Sequence, residues 1–165
     1  MHSVFVLCQN YPSEKDKYSM AFVHPRIKEY LKTGLDVKVI SFACNCSYIY
    51  DEVQVYTLQK GKELLRKSEK VILIAHAPNI KNHLFFILKT WKYLDRLILF
   101  FHGHEVLSTK KYYPRPYDFN KAAKREYRFL RLYDQIKLPV MRYYLKKFVA
   151  SGKCDLVFVG QTGLP

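Results

Sequence analysis

The segment His102-Gly103-His104-Glu105 places two imidazoles and a carboxylate within four residues, directly after the apolar run Leu97 to Phe101. A neutral imidazole can accept or donate a hydrogen bond to a sugar hydroxyl or a phosphate, and it changes charge near neutrality. Gly103 permits close backbone approach to a ligand, or a positive φ. A second histidine, His76, follows the run Val71 to Ala75 and opens His76-Ala77-Pro78-Asn79. Single histidines are commonly structural, but a His-Gly step after a buried strand favours a role at a cleft. His102, His104 and Glu105 with a distant His76 also suggest a metal site. Alternate side chains share one side only while the chain is extended, and Gly103 argues for a turn, so no metal is expected. Neither a Gly-x-Ser-x-Gly nucleophile elbow nor a Gly-x-x-x-x-Gly-Lys phosphate loop is present, which weighs against hydrolase and kinase chemistry.

A third candidate is the polar stretch from Gln9 to Tyr18, which follows the apolar start Val4 to Cys8 and contains Tyr11, Pro12 and Ser13. A loop at a strand's carboxyl end can offer backbone N–H groups to an anion. It lacks Gly-x-Gly-x-x-Gly, so an ordinary dinucleotide site is not expected. The same residues also suit a solvated loop in which Tyr11 and Pro12 pack for shape.

Lys and Arg number 28 against 14 Asp and Glu, a net charge of +14 over 165 residues. Such a field attracts phosphates, acidic polymers or an anionic membrane face. The charge concentrates between 121 and 147, where Lys124, Arg125, Arg128, Arg131, Arg142 and Lys146 form a candidate anion or membrane patch. Phe129, Leu130, Leu132, Tyr133 and Ile136 lie among them, as in a helix resting on an anionic membrane surface. Basic residues on a helix can equally be a solvated face. The apolar runs are far shorter than the ~20 residues that span a bilayer, and the N-terminus lacks signal-peptide features, so a cytoplasmic protein is expected, peripheral on the plasma membrane. Cys8, Cys44, Cys46 and Cys154 are read as reduced and structural.

The elements that would position these groups alternate. Six strand-like runs are expected at Val4 to Cys8, Val37 to Phe42, Val53 to Leu58, Val71 to Ala75, Leu97 to Phe101 and Leu156 to Val159. Three of them are almost continuously apolar, the pattern of strands covered on both faces of a parallel sheet. Helical patterns fall at Phe22 to Lys32, Lys60 to Lys67 and Lys81 to Tyr93, the last with Leu84, Ile87, Leu88 and Trp91 on one stripe. The expected fold is therefore α/β: a single Rossmann-like domain over 1–165, three layers deep, with a parallel sheet of six or seven strands. The long gap after Phe101 holds an insertion at about 103–150. It comprises a loop with Tyr112, Tyr113, Pro114, Pro116 and Tyr117, then a helical region from Lys121 to Val149 that Pro139 should break in two.

The order of several segments resembles the glycosyltransferase 4-like N-terminal domain of GT-B enzymes. They are Asn10-Tyr11-Pro12-Ser13, Ala21-Phe22-Val23-His24-Pro25-Arg26, Lys32-Thr33-Gly34-Leu35-Asp36-Val37-Lys38-Val39-Ile40, His76-Ala77 and His102-Gly103-His104-Glu105-Val106. The resemblance implies the acceptor-binding half of an enzyme that moves a sugar from a nucleotide-sugar donor to a glycan or lipid-linked acceptor, as in cell-surface polysaccharide biosynthesis. It implies no cofactor and no metal, and a C-terminal donor-binding domain that this chain lacks, so that the chain alone is inactive. His102 would stand at the reacting hydroxyl or the donor phosphate, with Tyr11, Ser13, His76, Gly103 and Glu105 lining the cleft. Many relatives carry Gly-Gly where this chain has Ser19-Met20, which departs from their donor-diphosphate loop. The competing reading is a basic α/β module that binds nucleic acid or another anionic ligand without catalysis. The chain carries no RNP-like or helix-turn-helix signature, so nucleic acid is not the expected partner.

Overall fold

A computed structural model describes residues 2–113, 115–116 and 120–159. In chain order its elements are β1 (Ser3–Cys8), α1 (His24–Lys32), β2 (Asp36–Ser41), β3 (Tyr48–Tyr50), β4 (Val53–Tyr56), α2 (Leu58–Lys67), β5 (Val71–His76), α3 (Phe85–Thr90), β6 (Leu94–Phe101), α4 (Thr109–Tyr112), α5 (Lys121–Ala150) and β7 (Cys154–Phe158). The strands form one sheet in the order β3-β4-β2-β1-β5-β6-β7, parallel except at the β3 edge. Counting only the parallel strands in chain order gives 3-2-1-4-5-6, the doubly wound Rossmann-like order.

Alternation along the central strands divides the core into two layers. Phe5, Leu7, Val71, Leu73, Leu97 and Leu99 face Leu65, Phe86, Ile87, Met141 and Phe148, so α2, α3 and α5 cover that side. Val4, Val6, Cys8, Val39 and Ile74 face Val23 and Ile27, so α1 covers the other. Because both faces are buried, the strands read as continuous apolar runs rather than as alternation. Gly61 lets α2 approach β2 closely: a Cβ there would stand 2.5 Å from Ile40 Cγ1.

Three local expectations need correction. The strand β3 pairs with β4 through a two-residue hairpin in which Asp51 and Glu52 take φ 42° and 66°. That geometry usually recruits Asn-Gly, and its absence hid the turn. The expected helix from Lys81 to Tyr93 is three pieces: a π-helical turn Ile80–Leu84, α3, and a 3-10 turn Trp91–Tyr93. Pro139 does not break α5, which runs for 30 residues, about 45 Å. The proline is exposed, and α5 is anchored on both sides of it by buried Asp134 and Lys137 and by buried Met141 and Phe148. Those contacts offset the ~3 kcal/mol that an interior proline costs a helix.

Candidate functional site

The chain leaves β1 toward α1 on one face of the sheet and leaves β5 toward α3 on the other. A crevice therefore opens beyond the carboxyl ends of these neighbouring strands. Gln9, just past β1, bridges it: its Oε1 accepts from Asn79 Nδ2 at 3.2 Å and Asn82 Nδ2 at 2.8 Å. Asn79 in turn caps the π-helical turn by accepting from the Asn82 backbone N–H at 2.8 Å. The crevice is about 840 Å³ and extends under α5, where Tyr113, Tyr127, Leu130, Tyr133 and Met141 supply an apolar and aromatic wall. Its polar end is His102, Glu105 and Lys137.

His102 and Glu105 are positioned by one tight turn after β6. Gly103 takes φ 122°, a conformation that side chains rarely adopt, and its carbonyl accepts from Val106 N–H at 3.0 Å and Leu107 N–H at 2.8 Å. This brings Glu105, only 4% exposed, back under the strand end, where its Oε2 accepts from the His102 backbone N–H at 3.1 Å. Glu105 Oε1 and His102 Nε2 are both buried and have no hydrogen-bond partner among the described residues. His104 Nε2 stands 3.6 Å from Oε1, beyond hydrogen-bond range, and its side chain points largely into solvent. Burial lowers the His102 pKa; Glu105 opposes that, while Arg26 and His104 add to it. The imidazole is therefore neutral at pH 7, and the site offers a hydroxyl one carboxylate acceptor and one imidazole nitrogen.

A buried ion pair ties this turn to α5. Lys137 Nζ lies 2.6 Å from Asp134 Oδ1 and donates to the His104 carbonyl at 2.6 Å. Asp134 Oδ2 accepts from the Thr109 N–H at 2.6 Å. Burial pushes the Asp134 carboxyl upward, but Lys137 and Thr109 together hold it below its ordinary value. Lys137 thus belongs to the floor of the site and not to the surface charge with which its sequence neighbours group it.

The remaining sequence candidates divide. His76 is fully buried and stacks on Phe100 at 4.8 Å, with its ring centroid 6.2 Å from that of His102. It stands behind the cleft, and burial, then Arg26 and His102, push its pKa down to about 3. Tyr11 and Ser13 do not line the cleft. Tyr11 is 4% exposed and packs in the core below α1, its hydroxyl 2.6 Å from His24 Nδ1, while His24 Nε2 meets Asp51 at 2.9 Å. Ser13 closes a local turn with Asp16 instead. Tyr48 donates to the Tyr11 and Pro12 carbonyls at 3.1 and 3.0 Å, which fixes the first loop for shape.

On α5, Arg125, Arg128, Arg131, Arg142 and Lys146 are exposed, and Lys124 is half-buried. Phe129, Leu132, Ile136 and Tyr143 are also exposed and recur at helical spacing along one stripe. No helix among the described residues is long and apolar enough to cross a membrane. No group of three or more His, Cys, Asp or Glu among them is placed to hold a metal ion. Pro114 and Tyr117 of the Tyr-rich loop lie outside the described residues.

Sequence reasoning reaches Gln9, the start of the polar stretch that follows β1, but misses Asn82, Lys137 and the tyrosine wall, which depend on how α5 and the turns pack. Compared with protein-family models, curated proteins and solved structures, the chain matches none.

Proposed function

We propose that this chain is the acceptor-binding domain of a GT-B-type glycosyltransferase, receiving a glycan or lipid-linked acceptor opposite a nucleotide-sugar donor held by a second domain. The observation that carries the reading is the pair of buried atoms, Glu105 Oε1 and His102 Nε2, which have no hydrogen-bond partner among the described residues and stand at the polar end of an aromatic-walled cleft. Leaving such atoms without partners costs about 1–3 kcal/mol each, which a bound hydroxyl would recover. In this reading Glu105 Oε1 accepts the hydrogen bond of the acceptor hydroxyl and His102 Nε2 orients or deprotonates it. The tyrosines cover the apolar faces of the sugar or of its lipid carrier. The exposed apolar stripe of α5, flanked by Arg128 and Lys146, supports docking on an anionic membrane; in this reading the work is done at the cytoplasmic face of the plasma membrane.

The test is ligand-observed NMR of the full chain with a panel of mono- and oligosaccharides and short-chain lipid-linked sugars. Binding that His102→Ala and Glu105→Gln weaken at least tenfold supports the reading. Absence of binding across the panel, together with salt-sensitive oligonucleotide binding, would replace it with the basic module that performs no catalysis.

A further inference from the structure

Behind the cleft stands a group of nitrogens that hydroxyl binding does not use. Arg26 Nη1 and both ring nitrogens of His76 are buried and have no hydrogen-bond partner among the described residues. They come from different elements, α1 and β5, and meet at Phe100. The Arg26 guanidinium carbon lies 5.1 Å from that ring's centroid, and the His76 ring stacks on it at 4.8 Å. Contact with an aromatic face satisfies the charge in part, but it leaves Nη1 of the guanidinium unmatched. No carboxylate among the described residues pairs with Arg26. A guanidinium whose Nη1 is buried, beside two imidazoles and without a carboxylate paired to it among the described residues, is the chemistry of an anion site whose anion is supplied from outside.

We infer that Arg26 and His76, with His102 at the entrance, receive a phosphoryl oxyanion. A planar fork and imidazole N–H groups arriving from separate elements suit an anion with several oxygens. Phe22 lines the cleft next to this group; it is half exposed and tilts against His102 at 4.7 Å. Phe22 follows Met20, held in the left-handed region at φ 49°. The titratable and charged groups facing the two imidazoles are Arg26 from α1, His83 from the π-helical turn, and His104 and Glu105 from the turn after β6. Glu105 Oε2 already accepts from the His102 N–H. With the imidazoles neutral when the site is empty, an arriving phosphate favours their protonation, and binding takes up protons. The inference does not depend on sugar transfer, since a phosphate can be bound without any reaction.

The experiment titrates the full chain at neutral pH and fixed ionic strength with inorganic phosphate, pyrophosphate and a nucleoside diphosphate, with acetate as control. Imidazole NMR signals and calorimetry in two buffers of different ionisation enthalpy supply the readouts. The expected result is saturable movement of the His76 and His102 signals with net proton uptake, at least tenfold weaker in Arg26→Met and little changed in the α5 variant R128Q/R131Q. Tighter binding of the diphosphates assigns the anion to a nucleotide donor; equal binding assigns it to free phosphate. An equal response to acetate, loss of binding in the α5 variant in place of Arg26→Met, or no saturable shift overturns the inference. Arg26→Lys, which keeps the charge and loses the fork, replaces Arg26→Met if that variant does not fold, and unaltered affinity there also overturns it. Saccharide binding without phosphate binding would remove this inference and leave the proposed function; the reverse would do the opposite.

Discussion

Acidification between pH 7 and pH 5 should destabilise this fold through two histidines that never touch solvent. His76 and His83 are fully buried, and both are pushed from the ordinary imidazole value of 6.5 down to about 3. Burial is the main cause for each. Arg26 and His102 add to it at His76; at His83 the His76 ring adds to it while the Leu7 carbonyl pulls the other way. Between pH 6.5 and pH 3 the unfolded chain binds protons that the native chain refuses, so stability falls as pH falls. The slope is about 1.4 kcal/mol per pH unit for each imidazole. From pH 7 to pH 5 each loses about 2 kcal/mol, or about 4 kcal/mol for both, a large part of the 5–15 kcal/mol typical of a whole domain. For a chain of this size that is a Tm decrease of roughly 8–16 °C. The lowered carboxyls of Asp51, Glu63, Asp134 and Asp155 contribute stability that is present above their unfolded values and lost only as pH falls through the folded ones, below this window. Urea midpoints followed by circular dichroism across the range measure the slope. The variant H76F/H83F, which keeps an aromatic ring at both places, should flatten it. A wild-type midpoint that does not change between pH 7 and pH 5 would refute the reasoning.

Other expectations follow from the same geometry. Gly61→Ala forces a methyl against Ile40; overpacking of about 1–3 kcal/mol outweighs the gain of up to about 1 kcal/mol in helix propensity, so urea denaturation should show net destabilisation, relieved in an Ile40→Ala background, which removes the Cγ1 that the methyl meets. Lys137→Met strands the buried Asp134 carboxylate and frees the His104 carbonyl, at a cost of about 3 kcal/mol in the same assay, and the His102 imidazole signal should broaden or move. R128Q/R131Q removes two charges worth about 1 kcal/mol each at an anionic surface, so sedimentation with anionic vesicles should fall roughly thirtyfold, whereas neutral vesicles should show little difference.

The frame of this fold was legible in the sequence because its information is local and redundant. A strand such as Leu97 to Phe101 is apolar at every position, and no other setting for such a run competes with a sheet covered on both sides. The place of His102 was legible for the same reason: in a parallel sheet, whatever follows a buried strand lies at the ligand-bearing edge. What stayed hidden was set by contacts between distant residues. Tyr11 looks like a cleft residue by position, but its ring is drawn into the core by Val23, Ile27 and the His24–Asp51 pair. Lys137 is indistinguishable in composition from Arg131 or Arg142, and only its helical phase turns it inward to Asp134. Arg26 closes the segment Ala21 to Arg26, but nothing in that segment announces a buried Nη1 with no hydrogen-bond partner among the described residues.

The central claim is that the cleft ending in His102 and Glu105 presents an acceptor hydroxyl for sugar transfer. The most direct measurement joins the chain to a donor-binding domain and follows labelled sugar from a nucleotide-sugar donor to glycan and lipid-linked acceptors on anionic vesicles. The account predicts transfer that depends on the acceptor, with His102→Ala reducing kcat by about a hundredfold or more, as removal of a group acting on the reacting proton does. Transfer at an unchanged rate in His102→Ala would contradict it.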